Sequence, residues 1–452
     1  MPYLNEYSSK VAHAPLVNSP QVQAFLRECR FHAPLTTAHA TSLAAGFQAA
    51  PTGGKLPRHI LAVDGSLWES ALNAELPTTQ VGYLQIASVQ FDLAAYHALR
   101  RADGLVDPFA VATLMQGAAV HPLCLPSANL LWTRCSSVRD SFRAVLAAFL
   151  RNTIVVGAPL RDTLFHLASL RPGRLSTGTP LALLLHHCPT CGKGPVPVMH
   201  QLGDQACHHC GAPVHAADCL RVWEEVQEGQ SNAMALGRTM LLLEHLLLIH
   251  HLRHLDLPTL ADTIAFIDGP GALFGPASWL HAPIQRWLHE QNEGLRRAGH
   301  GPLLFVAIQK SGQLVEHARR LALHLAAGQL RFVDDAYRYQ EILISRAEAE
   351  GCFGRQTYYC QDVLFKSATD KLFVLGLPFC VPDKYSGDFN TQKVELAAYP
   401  QLGRLCSTLE ALTTELYPDA LVPLVLAHHA ASISRAPGGQ MLDQLARHHL
   451  LP

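Results

Sequence analysis

Two short apolar runs, far apart in the chain, each end in Asp-Gly: Ile60-Leu61-Ala62-Val63-Asp64-Gly65-Ser66 and Ala265-Phe266-Ile267-Asp268-Gly269-Pro270. Runs of this length, partly β-branched and bounded by glycine, read as buried strands. An aspartate at the end of a buried strand stands where the sheet meets a cleft. Two such strands side by side would bring two carboxylates together, and like charges at close quarters repel unless a cation sits between them. Acidic, oxygen-rich sites of that kind suit magnesium or manganese. The plainer alternative is that each Asp-Gly pair only makes a turn.

With 452 residues the chain is too long for one ordinary core, which suggests two or three units or one large domain carrying insertions. Apolar residues make up 49% and charged residues 16%, a globular balance and not a disordered one. The formal net charge of −1 carries no overall basic signature. A nucleic-acid ligand would therefore need a local basic track, or one shared with a partner. The 26 histidines are scattered, and their charge below about pH 6.5 makes any anion binding pH-sensitive. The first ten residues lack a basic segment followed by an apolar one. The greasiest stretch, 240–249, is broken by Glu244 and His245 and followed by His250 and His251. It falls short of the roughly 18 uninterrupted apolar residues of a membrane span. A soluble, cytoplasmic protein without a membrane anchor is the expectation.

Four cysteines follow the pattern Cys188-x2-Cys191-x15-Cys207-x2-Cys210, the spacing of a four-thiolate zinc ribbon. Gly192, Gly194 and Gly211 are available for the tight knuckle turns. Cys219, His208, His209 and His215 lie nearby as substitute ligands, but four thiolates already close a tetrahedron. With no open coordination position the zinc would be structural, not catalytic. Cys29, Cys124, Cys135, Cys352, Cys360, Cys380 and Cys406 show no paired spacing and read as small buried apolar residues.

Residues 1–50 read as helical, with Val22, Phe25 and Leu26 on one stripe, and end at the linker Ala50-Pro51-Thr52-Gly53-Gly54. The stretch 80–92 should form a second strand, or a second and a third, and 107–170 is mostly helical. A loop over 171–180 leads into the zinc module, which ends near Trp223. A long helix over 231–254 precedes the second Asp-Gly strand. Helix 278–298, strand 303–308, helix 312–328, strand 372–375 and a C-terminal helix holding Leu424 to Ser434 follow. This alternation favours an α/β layered sheet.

Three polar residues stand out against apolar surroundings. Glu244 lies among leucines, where a carboxylate is costly unless paired, neutral or metal-bound; the alternative places it on the solvent face of an amphipathic helix. His428 and His429 end the apolar run 421–427, where a histidine is often a satisfied core residue. Lys310 follows strand 303–308 directly, placed either to reach a phosphate or to be solvated.

The order of these elements resembles the NurA nuclease family, partners of HerA-type hexameric DNA translocases. It runs from an Asp-Gly-Ser strand through a helix with an embedded Glu, an Ile-Asp-Gly strand and a strand ending in Lys-Ser-Gly, to Pro-Leu-x-x-Ala-His. The resemblance covers about 58–100 and 231–435 and implies an RNase H-like mixed sheet flanked by helices. On that reading 1–55 is an N-terminal helical segment, 56–100 with 231–435 the nuclease core, and 436–452 a tail. The stretch 101–230 becomes an insertion carrying the zinc ribbon at about 186–222. The resemblance further implies DNA cleavage with manganese or magnesium, with Asp64, Glu244, Asp268 and His428 as catalytic metal ligands. His428 either ligates the second ion or protonates the leaving group, and Lys310 steadies a substrate phosphate. Tyr417-Pro418 is similar to the family's Tyr-Pro, although its gap to Ala427-His428 is longer. Implied partners are DNA, a HerA-type hexameric ATPase and a second copy in a homodimer, in end resection, repair or anti-phage defence. The zinc ribbon could contact DNA, the ATPase or the second protomer, or simply staple the insertion.

The alternative from another class is a non-catalytic zinc-ribbon adaptor, whose core would be a scaffold binding nucleic acid or a partner ATPase. A further alternative is an enzyme acting on RNA or RNA–DNA hybrids, a choice made by contacts to the 2′-hydroxyl.

Overall fold

A computed structural model describes residues 13–29, 35–73, 75–99, 117–201, 203, 205–343, 352–385, 387–413 and 421–450. Tyr417 and Pro418 lie outside the described residues, as do the first ten residues and 100–116.

Nine strands form one mixed sheet: β1 (Gln48–Ala49), β2 (His59–Ala71), β3 (Gln80–Asp92), β4 (Ala119–Pro126), β5 (Thr263–Asp268), β6 (Leu304–Gln309), β7 (Gln329–Phe332), β8 (Cys360–Lys366) and β9 (Leu372–Pro378). Their spatial order is β1-β7-β8-β9-β6-β5-β2-β3-β4. Strands β2, β3 and β4 are antiparallel neighbours, while β2, β5 and β6 run parallel. This is the expected RNase H-like mixed sheet, extended on the β6 side by four antiparallel strands. The central strands are apolar on both sides because helices cover both faces. Leu61, Val63, Ala265, Ile267, Phe305 and Ala307 feed one core; Ile60, Ala62, Ile264, Phe266, Leu304 and Val306 feed the other.

On the first face lies helix α3 (Ala233–Arg253), preceded in the chain by α1 (Val138–Asn152) and α2 (Leu160–Ser169). Leu242, Leu243, Leu246 and Leu247 of α3 are all within the core. By length and hydropathy alone α3 is apolar enough to cross a membrane, but most of it is buried inside the fold, as in the core helix of a globular domain. The chain continues with α4 (His281–Arg297) between β5 and β6, then α5 (Gln313–Leu321). The opposite face carries α6 (Leu402–Ala411) and α7 (Val422–Ala431). Helix α8 (Gln440–Leu450) packs by Ala446 and Leu442 on Tyr83 and Trp68.

Several expectations change. Stretch 80–92 is one strand, not two. Strand β4 falls within 101–230, the stretch expected as an insertion, yet it is hydrogen-bonded to β3 as the sheet edge. Leu183, Leu185, Cys188, Val198 and Cys207 share one core with Leu61 and Leu242, so the zinc module is packed into the fold. A buried ion pair anchors it: Arg143 of α1 donates to both oxygens of Asp218 at 2.8 and 2.7 Å and to Pro213 O at 2.9 Å. Helix Pro20–Glu28 forms, but Phe25 and Leu26 are exposed instead of making a buried stripe. Among the unpaired cysteines Cys360 and Cys406 are buried, whereas Cys29 and Cys124 are exposed.

Candidate functional site

The parallel pairing of β2 with β5 runs from His59↔Thr263 to Val63↔Ile267, so Asp64 and Asp268 occupy the next matched positions on adjacent strands. Both follow Ala62 and Phe266 in parity and therefore face α7. Asp64 does not end its strand, since β2 continues to Ala71 in pairing with β3; it ends only the pairing with β5. The two aspartates thus stand at the edge where the central parallel strands stop.

Gly65 points the other way, toward α3, and this explains the Asp-Gly sequence there. A Cβ on Gly65 would lie 2.6 Å from Glu244 Oε1 and 2.7 Å from Met240 Cγ. The missing side chain lets the Glu244 carboxylate approach the strand backbone. Gly269 behaves differently: its φ of +103° makes it a true turn residue after Asp268. The turn reading therefore holds for the second pair and fails for the first. Gly65→Ala is expected to displace Glu244 and destabilise the protein by about 1–3 kcal/mol, the usual range for overpacking. Thermal unfolding of the variant checks this.

Glu244 is 4% exposed and Asp64 5% exposed, which removes the solvent-face reading of Glu244. Burial pushes the Glu244 carboxyl well above its usual pKa, and the charges of Asp64 and Asp268 add to the effect; the Gly65 amide and Lys310 oppose it. Asp64 is raised for the same reasons, burial first and then Asp268, against Lys310, its own bond from Gly65 N at 2.9 Å, and His428. His428 Nδ1 pairs with Asp64 Oδ2 at 2.9 Å, while its side chain is 63% exposed, so it is not a core residue. His429 is exposed as well. Lys310 Nζ donates to Asp268 Oδ2 at 2.8 Å. The expected phosphate contact thus begins as an ion pair with a carboxylate.

An acid whose folded pKa is raised stabilises the protein most below its unfolded pKa, and that stability is lost as pH rises toward the folded value. Glu244→Gln is therefore expected to raise the Tm of the metal-free protein by several degrees at pH 7, with a gain that shrinks toward pH 4. Thermal scans across that window, beside wild type, read the difference directly.

A second polar network went unread in the sequence. Asp362 of β8 is fully buried, bonded by Arg338 and by Gln309 Nε2 at 2.7 Å, and burial raises its pKa despite them. Gln309 immediately precedes Lys310, so this network fixes the end of β6 beside Asp268. An acid inside the apolar run 360–365 was the available signal, of the same kind as Glu244 among leucines.

The four cysteines could form a zinc site. Their sulfurs all lie within 4.8 Å of one another, with Cys188–Cys210 at 3.8 Å and Cys191–Cys207 at 3.9 Å. A zinc tetrahedron with Zn–S near 2.3 Å has edges of about 3.8 Å, so the donor set fits. The two knuckles match: Gly192 N bonds Cys188 O at 2.9 Å, and Gly211 N bonds Cys207 O at 2.8 Å. Their φ values are +70° and +74°. Gly194 makes no such turn; its backbone passes the His186 carbonyl too closely for a Cβ. Cys219 is outside the cluster, a core thiol pushed up to about 12 by burial. Among the described residues no other group of three or more donors converges as tightly, so Asp64, Glu244 and Asp268 are neighbours that do not close to the same degree.

No family model and no curated protein matches the chain. Among solved structures the fold is similar to the crystal structure of the NurA nuclease from Sulfolobus solfataricus, with 9% identity and a TM-score of 0.38, over 98% of this chain and 97% of that one. A second crystal structure of NurA aligns with 9% identity and a TM-score of 0.30, over 98% and 96% of the two chains.

Proposed function

We propose that the chain is a divalent-metal-dependent DNA nuclease whose catalytic ligands are Asp64, Glu244, Asp268 and His428. The observation that carries this reading is the pair of register-matched aspartates, with a third, buried carboxylate over Gly65 and one lysine among them. Burial first, and then the charges of the neighbouring carboxylates, raise the pKa values of Asp64 and Glu244. An all-oxygen set with one imidazole suits manganese or magnesium.

Divalent ions bound there would supply a water acidified to neutral pH and charge neutralisation at the leaving oxygen of a phosphodiester, in the two-metal manner. The protein's own groups divide the remaining work. Asp64 and Asp268 are held in position by rigid neighbouring strands. Asp64 holds the His428 ring through Nδ1, which leaves Nε2 as the nitrogen that can serve as a ligand or give a proton to the leaving oxygen. Lys310, released from Asp268, is placed to pair with a substrate phosphate. The HerA-type hexameric ATPase partner, the homodimer and a role in end resection, repair or anti-phage defence rest on the resemblance in motif order.

The test is cleavage of end-labelled duplex and single-stranded DNA with manganese, magnesium or EDTA. Ion-dependent cleavage by the wild type supports the proposal. Absence of cleavage with every ion, with or without an ATPase partner, would favour the adaptor reading.

A further inference from the structure

The near-neutral net charge requires any polynucleotide track to be local, and one basic groove meets that requirement. It lies between the loop Arg171–Leu175 and the first zinc knuckle, has a volume of about 640 Å³, and is lined by Arg171, Arg174, His186, His187 and Gly192 among others. Among the described residues no acid lines it. Arg171 is half-buried with its guanidinium 4.3 Å over the Trp279 ring, and burial lowers its pKa with no carboxylate nearby to offset it. Arg174 is exposed and, among the described residues, forms no ion pair. Glu224, bonded by Arg221 at 2.6 Å, lies 3.5 Å from the lining residue His187.

The groove lies toward the end of the sheet at which the parallel strands stop, on the α3 face. Helix α3 runs back along β2, with Gly237 against Leu67 and Met240 and Glu244 against Gly65, so its N-terminal half projects beyond the edge that carries the aspartates. There Arg238 bonds Glu225 at 2.7 Å and packs against Gly275, in the segment that follows Asp268. From that segment Trp279 donates to Cys219 O at 2.9 Å and supports Arg171. A continuous run of packed residues therefore joins the strand end at Asp268 to the groove.

We propose that the groove formed by Arg171 and Arg174 beside the first zinc knuckle binds the phosphates of the DNA strand presented to the carboxylate site. This rests on the nuclease reading and assigns the zinc module a substrate-holding role.

The test is anisotropy of a fluorescein-labelled single-stranded DNA without added divalent ion, between about 50 and 200 mM salt. The double variant Arg171→Ala with Arg174→Ala is expected to bind on the order of tenfold more weakly. Its plot of log K against log salt should flatten by about 1.4, at ~0.7 per lost phosphate contact. The pair Arg171→Lys with Arg174→Lys should keep both affinity and slope, and zinc content measured alongside separates a collapsed knuckle from a lost contact. Unchanged affinity and slope in the zinc-replete alanine variant would overturn the proposal. Failure of the nuclease reading looks different: wild type would bind with the groove-dependent slope yet cut nothing with manganese.

Discussion

Asp64→Asn and Asp268→Asn should each lower ion-dependent DNA cleavage by roughly a thousandfold or more while leaving the protein folded. The magnitude follows from the several kcal/mol of transition-state charge stabilisation that a bound divalent ion supplies, at about 1.4 kcal/mol per factor of ten. The fold is expected to survive because the two carboxylates sit at the edge where the parallel pairing ends, outside the apolar layers. Removing one also relieves repulsion, since each charge raises the pKa of buried Glu244. Cleavage rates and thermal unfolding of the same preparations check both halves. An asparagine variant that unfolds would make Asp64 or Asp268 structural; one that cuts at the wild-type rate would place the chemistry elsewhere.

Loss of zinc should have the second largest effect, and on stability. Structural zinc contributes on the order of 10 kcal/mol or more to the folding of small four-ligand modules. Here Cys188 and Cys207 are core residues, packed in the same cluster as Val196, Val198, Leu242 and Leu61. Cys188→Ser is therefore expected to destabilise the whole first face of the sheet, not a detachable appendage. Differential scanning calorimetry should show a Tm drop of well over ten degrees, with zinc content falling in parallel. A variant that loses its zinc and keeps its Tm would show that the cysteines contribute nothing to the fold.

The features legible in the sequence were those set by local chemistry. The apolar runs at 60–63 and 264–267 are buried on both faces, and such strands announce themselves by continuous hydrophobicity. The cysteine spacing was legible because two CxxC knuckles at that separation leave few other arrangements. Strand β4, by contrast, was hidden: its edge position gives the alternating exposure of Ala119–Leu123, a weaker signal than a continuous apolar run. The packing of the zinc module into the main core depends on the buried pair Arg143–Asp218, whose partners are 75 residues apart in the chain and share no local pattern. The role of Gly65 was not legible for a related reason. Its role is decided by Glu244 on a distant helix, whereas Asp-Gly read locally suggests a turn. The network of Asp362, Arg338 and Gln309 likewise exists only once β6 and β8 flank β9.

The decisive measurement is manganese binding to purified wild type and Asp268→Asn, followed by calorimetry and by the shift in Tm. Wild type should bind and gain stability with ion concentration, about 2.7 kcal/mol at a hundredfold excess over Kd. Asp268→Asn should bind far more weakly and show almost no shift. Equal binding and equal shifts in the two proteins would contradict a metal site built on these carboxylates.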